Sequence, residues 1–389
     1  MQIKTVLLAS AIVIMGAGAS FAQSPIKIGV DTPLSGTYAG IGQQVRWGYE
    51  LAVKEINAKG GILGRKIDLI FEDGQANPTV AVQKAEKLFQ VDKVDFLAGT
   101  VSSSATVAVG QTAERANKLM ATSVSFADSI TGSKCSPNVF RVNARAGQQS
   151  AALAAWLAKE HPKAKVFYLG PDYLMGRSTV AAFQTNAKKV GATNLGEVFA
   201  PLGAKDYTQY FGQIRAAHPQ VLYTSVAGND TVRLFTQMEE FGLLKGLTVL
   251  GASGTVTSQN IGAIGKAANG FTTGVGYSTE IDTPENKAFV KAFQAANKHD
   301  PDLYGADSYG LIYAYKAAVE KAKSTDADKV RAALSGLTWA TPQGDKTIRA
   351  GDHQAIQTMY VVQITDGKFK IISHVDGKDA IGPDTCTRF

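Results

Sequence analysis

Cysteine is scarce in this chain of 389 residues: only Cys135 and Cys386 occur. Two thiols cannot build a disulfide-dense scaffold or a four-cysteine metal site. Histidine is sparse as well. His161, His218, His299, His353 and His374 are scattered, and none falls into a His-Glu-x-x-His or other metal spacing. All five read as surface or structural residues, and no metal site is predicted. The net charge of +7 contains no contiguous basic block, so neither nucleic acid nor a membrane surface is an expected partner. Beyond the first segment, no apolar run approaches the ~20 residues that cross a bilayer. Repeats and low-complexity stretches are absent too.

Catalytic and nucleotide signatures are missing in the same way. The stretch nearest a nucleophile elbow, Gly251-Ala252-Ser253-Gly254, has the wrong spacing. No nucleophile–base pair stands out, so catalytic residues are not expected, and an exported α/β enzyme is the weaker reading. Gly36, Gly40 and Gly42 lie between an apolar strand pattern and a helix pattern, as in a phosphate-cradling loop. The third glycine of the dinucleotide fingerprint is lacking, however, and no Gly-Lys-Ser/Thr ending occurs. No cofactor is predicted.

What is present begins with Lys4, an apolar run over 6–17, and Ser20-Phe21-Ala22 before Gln23. That is the layout of a secretory signal, so residues 1–22 are an expected signal peptide and the mature protein is expected in the periplasm. No cysteine follows the run to carry a lipid anchor. In an exported protein, Cys135 and Cys386 are expected to form a disulfide.

Strand and helix patterns alternate over most of the chain. Strands are predicted at 26–30, 66–72, 95–99 and 119–123, with helices at 43–59, from Asn77-Pro78 onward, and at 104–116. Asn77 supplies an N-cap and Pro78 a first-turn proline. The rhythm restarts after 140–142. Helices at 148–160, 176–190, 207–217 and 230–241 separate strands at 165–168, 197–199, 221–224 and 248–250. Two long helices follow, at 285–297 and 308–322, and a shorter one near 328–334. Residues 347–349, 358–364 and 368–374 are expected to form a small antiparallel set, turning at Asp366-Gly367. This order predicts an α/β fold with parallel sheets covered by helices on both faces.

In such sheets, ligands bind at the strand-to-helix loops. Three loops stand out: 32–42, "GTVSSSAT" (99–106) and "GPDYLMGRS" (170–178). Each offers backbone N–H groups and short polar side chains at a helix start, which suits a carboxylate.

With those features in view, the chain resembles the extracytoplasmic solute-binding proteins of the branched-chain amino-acid type. These are type I periplasmic binding proteins serving ABC importers. The resemblance rests on "IKIGVDTPLSGTYAGIGQQVRWGYELAVKEINAKGGILGRKIDLIFEDGQANPTVAVQKAEKL", "FLAGTVSSSAT", "VFYLGPDYLMGRS", "DYTQYFGQIRAAHPQVLY" and "YGADSYGLIYAYKAAVEKA". It implies two Rossmann-like lobes joined by three crossovers, residues 25–142 with 276–345 and residues 143–275 with 346–389. A solute is expected in the cleft, with a permease in the inner membrane as partner and a monomeric state. A ligand-sensing subunit for a membrane receptor is the alternative of another class.

Carried over residue by residue, Ser103 falls where the family's serine holds the ligand carboxylate, with Ser104 beside it. Ser125 is small, as expected in the next loop, but Phe126 replaces a threonine. Tyr173 lies near the family's tyrosine, with Met175 in the aligned slot. At about Ser253 the family carries the acid that pairs with an ammonium, and here there is none. Tyr38, Asn229 and Tyr277 complete the expected ligand-binding set. A buried ammonium without a carboxylate partner is costly. The expected ligand is therefore a small carboxylate with an apolar or aromatic body. The alternative is a branched-chain or other hydrophobic amino acid or amide, with Asp172 or Asp307 taking the acid's place.

Overall fold

The computed structural model describes residues 24–389; the expected signal peptide lies outside them. The first sheet is wholly parallel, in the order β2-β1-β3-β4-β5. Its strands are β1 (Ile26–Thr32), β2 (Ile67–Asp73), β3 (Phe96–Gly99), β4 (Leu119–Thr122) and β5 (Val139–Arg141). Between them run α1 (Ala39–Ala58), α2 (Pro78–Gln90) and α3 (Ser103–Arg115). Ile26, Ile28 and Val30 are fully buried, because helices cover the sheet on both sides. The glycine-rich turn before α1 has a packing reason: a Cβ on Gly42 would lie 1.7 Å from the Pro33 carbonyl oxygen.

The second sheet begins after α4 (Ala146–Glu160). Its parallel strands are β6 (Lys165–Pro171), β7 (Thr193–Ala200), β8 (Val221–Thr224), β9 (Thr248–Gly251) and β10 (Thr272–Val275). Helices α5 (Leu174–Lys189), α6 (Thr208–Ala216), α7 (Asn229–Glu240) and the single turn α8 (Ile261–Ile264) connect them. The chain then returns to the first lobe through α9 (Pro284–Asn297), α10 (Leu303–Ala322) and α11 (Ala327–Leu334). Strands β11 (Thr338–Thr341), β12 (Gly344–Ile348) and β13 (Ala355–Ile356) form a separate antiparallel sheet. Ile348 and Ala355, beyond the boundary expected at 345, belong to the first lobe's core.

The C-terminal pattern folds differently from the expected set of three. Strands β14 (Met359–Thr365) and β15 (Lys368–Val375) turn at Asp366-Gly367 and extend the second sheet, with β14 antiparallel to β10. The 347–349 stretch joins β11 and β13 instead, because its apolar residue, Ile348, is claimed by the first core. The last helix, α12 (Gly377–Ala380), precedes a tail that ends in the Cys135–Cys386 disulfide. No described helix is long and apolar enough to cross a membrane.

Candidate solute-binding cleft

The two lobes meet where their strand-to-helix loops face each other. Helices α1, α3, α5 and α7 begin at Tyr38, Ser102, Tyr173 and Gly228, and no side chain caps any of the four. Helices α2, α9, α10 and α11 are capped by Asn77, Thr283, Asp302 and Asp326. Uncapped N-termini keep backbone donors and a partial positive charge available to an anion.

At the mouth, the Tyr38 hydroxyl lies 2.8 Å from that of Tyr173 on the opposite lobe. The Asn229 amide donates to the Thr37 carbonyl at 3.2 Å, and the Asp128 amide to Ser178 Oγ at 3.0 Å. Asn229's own side chain is exposed, so it serves the lip through its backbone. Met175 is buried among side chains of the opposite lobe's core.

Deeper in, Ser103 is fully buried and its Oγ accepts from the Ala127 amide at 3.2 Å. That leaves its proton free to donate. Ser104 is half-buried at the first turn of α3. Ser125 is otherwise engaged: its hydroxyl lies 2.5 Å from Thr106 Oγ1 and within reach of the Thr100 and Val101 carbonyls. It holds the loop together, and its neighbour Phe126 carries the ring. Phe126 stacks on Tyr304, with centroids 6.1 Å apart and planes at 26°. Tyr304 in turn touches the second lobe. A Cβ on Gly254 would lie 2.0 Å from its hydroxyl oxygen, so only glycine fits there.

Ser253 is buried next to this contact. Its amide donates to Gln149 Oε1 at 3.3 Å, while its Oγ has no partner. Tyr277 is also buried, with an unpartnered hydroxyl, and burial holds its phenol well above the ordinary value, so it stays protonated. Both residues line a cavity of about 760 Å³ between the lobes. Neither acid expected to stand in for the missing one is available. Asp172 is exposed and bound to Arg177 at 2.6 Å. Asp307 is buried in an ion pair with Lys346 and accepts from Gln343 at 2.7 Å. Burial pushes the Asp307 carboxyl up and the Lys346 ammonium down, and their pairing opposes both shifts.

Three residues around the cleft escaped the sequence reading: Tyr304, Asp302 and Gln357. Asp302 is the N-cap of α10, accepting from the Tyr304 and Gly305 amides at 2.9 and 3.2 Å. Its second oxygen has no partner. An Asp ahead of a helix pattern signals a cap, which hid its free oxygen. The Gln357 amide is buried beside Gly276 with neither end satisfied. No group of His, Cys, Asp or Glu among the described residues could hold a metal ion.

Residues 25–368 match the periplasmic binding protein family. The Leu/Ile/Val-binding protein BraC3 of Rhizobium johnstonii is 30% identical over 86% of this chain and 89% of its own. The leucine-, isoleucine-, valine-, threonine- and alanine-binding protein of Pseudomonas aeruginosa is 27% identical, over 84% and 86%. Among solved structures, a solute-binding protein of an R. palustris ABC transporter in complex with benzoate superposes with a TM-score of 0.84 at 26% identity, covering 90% of this chain and 96% of that one. A second, from Rhodopseudomonas palustris BisB5 with 3,4-dihydroxybenzoic acid, gives 0.84 at 26% identity, covering 91% and 98%. The chain belongs to the periplasmic binding protein family, as an ABC-transporter solute-binding protein of the branched-chain amino-acid-binding type.

Proposed function

We propose that this protein is exported with residues 1–22 removed, captures a small aromatic carboxylate between its lobes and delivers it to an inner-membrane ABC permease. One observation carries the choice of solute. The uncapped N-terminus of α3, with Ser103 and Ser104, lies beside the stacked Phe126–Tyr304 pair. The first suits a carboxylate and the second a flat ring. The benzoate and dihydroxybenzoate complexes of structural relatives support the same reading. Closure at the mouth excludes water, which strengthens the hydrogen bonds to the solute.

A branched-chain amino acid is the second reading, favoured by the names of the curated relatives. It requires an acid for the ammonium: Asp172 and Asp307 are committed elsewhere, which leaves Asp302, with one unpartnered oxygen, as the acid that would have to supply it.

Thermal unfolding of the mature chain against benzoate, 4-hydroxybenzoate, cinnamate, leucine and a keto acid separates the two. A solute at about a hundred times its dissociation constant adds about 2.7 kcal/mol. Stabilisation by the aromatic acids and not by leucine is the expected result. Stabilisation by leucine alone would overturn the aromatic reading while leaving the transport class intact.

A further inference from the structure

Asp31 stands at the carboxyl end of β1, where the strand leads into the first lobe's lip of the cleft. It is 1% exposed, and neither of its carboxyl oxygens has a hydrogen-bond partner. Its seat lies under the end of β2. A Cβ on Gly74 would come within 2.0 Å of Asp31 Oδ1, so the turn after β2 closes directly over the carboxyl group. The residue before that glycine holds the lip. Asp73 accepts from the Leu34 amide at 3.0 Å, the Ser35 hydroxyl at 2.7 Å and the Gln75 amide at 2.9 Å. Just beyond Ser35, the Thr37 carbonyl and the Tyr38 hydroxyl make the contacts to the opposite lobe. Packed and hydrogen-bonded groups thus lead without a break from Asp31 to the mouth.

The charges around Asp31 make its proton consequential. In the register of β1 with β2, Asp31 lies opposite Glu72 and Thr32 opposite Asp73. The ionisable groups facing it are these two acids and Lys84 of α2, and Lys84 is bound to Glu72 at 2.8 Å. Lys87, also on α2, holds the other Glu72 oxygen at 2.6 Å. On the other side, β3 has no ionisable side chain. A buried carboxylate without hydrogen bonds and with two like charges beside it is costly, so the group is held as the neutral acid. Burial first, then Asp73 and Glu72, push this carboxyl up to about 8, with Lys84 opposing them. An unfolded chain releases the same proton near pH ~3.9. Asp31 therefore withdraws stability as pH rises from about 4 to about 8, and no more above that.

We propose that Asp31 is a pH-sensitive positioning residue of the first lip: with its proton it lets Asp73 anchor the loop, and without it Asp31 and Asp73 repel, the lip loosens and solute leaves faster. The inference rests on the solute-binding role and not on which solute is carried. Because the closed lip favours the proton, solute binding in turn raises proton uptake on the alkaline side of neutrality.

Hydrogen exchange of the solute-free mature chain tests this, read on a lip peptide covering residues 33–38 and compared with Asp31→Asn at about pH 6.5 and about pH 9. Asparagine keeps the shape of the neutral acid and has no proton to lose. Comparison at one pH cancels the base catalysis of exchange itself. At pH 9 the native lip should exchange about threefold faster than that of the variant, within the range of one lost hydrogen bond, and at pH 6.5 no faster. Asp31→Val, which seats an apolar side chain there, repeats the comparison where the asparagine amide disturbs folding. In stopped-flow displacement with benzoate as the probe, release from the native protein should quicken about threefold from pH 6.5 to pH 9, and in Asp31→Asn it should not. Equal exchange of the two lips at pH 9 would overturn the proposal. So would a native lip that is equally faster at both pH values, the result of a purely structural role, or benzoate release that ignores pH. Failure of benzoate to bind would count against the aromatic reading alone and leave the exchange comparison to decide this one.

Discussion

The two edges of the cleft are built by opposite means. The rear, where the chain crosses between lobes, is stitched by buried charge. Arg141 is fully buried and donates to Gln354 Oε1 at 2.5 Å, the Ala127 carbonyl at 2.7 Å and Thr131 Oγ1 at 2.5 Å. Gln354 passes the network on to the Asn143 carbonyl at 2.8 Å and Gln148 at 3.0 Å. Lys346 pairs with Asp307 and also reaches the Val142 carbonyl at 3.1 Å. The tail adds a strap, with Arg145 holding the Ile381 and Pro383 carbonyls and Cys386 bonded to Cys135. The mouth has neutral contacts between the lobes, chiefly Tyr38 to Tyr173 and Asn229 to Thr37. Such bonds each contribute about 0.5–1.5 kcal/mol and exchange readily for water. A binding protein must open without coming apart, and this division of strength permits that.

The rear should dominate stability. Lys346→Met leaves Asp307 buried and unpaired, so it should cost about 3–5 kcal/mol in urea unfolding. A loss under about 1 kcal/mol would mean that the pair is not part of the rear's strength. Next comes the strap. Cys135 and Cys386 are separated by 251 residues, and replacing both by serine should cost about 2–4 kcal/mol. Native protein should melt lower in dithiothreitol, and the double variant should be insensitive to it. The mouth should show the smallest effect. Tyr173→Phe removes one hydroxyl and keeps the ring. It should leave unfolding of the solute-free protein within about 0.5 kcal/mol. It should weaken solute binding by up to about tenfold, mainly through faster release in stopped-flow measurements. Equal losses in stability for Tyr173→Phe and Lys346→Met would collapse the distinction between the two edges.

Most strands and helices were legible because their signals are local. Asn77-Pro78 starts α2 with the Asn77 side chain accepting from the Thr79 and Val80 amides, as its residue types predict. Asp366-Gly367 turns the last hairpin for the same reason. The destination of that hairpin was not legible. Alternating apolar residues prescribe a half-buried strand but do not name its neighbour, and β10 lies far upstream in the chain. His353 shows how little a lone histidine reveals. It is buried between Phe140 and Phe389, with centroids 3.9 and 4.5 Å away, and burial pushes its pKa down to about 4.

The site divides along the same line. Residue types alone placed Ser103 and Ser104 at the start of α3, because short hydroxyls after a strand-to-helix glycine turn belong at a helix N-terminus. Which polar groups remain free was decided only in three dimensions. Ser125 is consumed by Thr106, Asp307 by Lys346 and Asp172 by Arg177, whereas Ser253, Tyr277 and Asp302 each keep an atom unpaired. Sequence determines secondary structure and lobe architecture through short-range periodicity. Hydrogen-bond satisfaction depends on partners up to hundreds of residues away, and only the folded chain brings those within 3 Å.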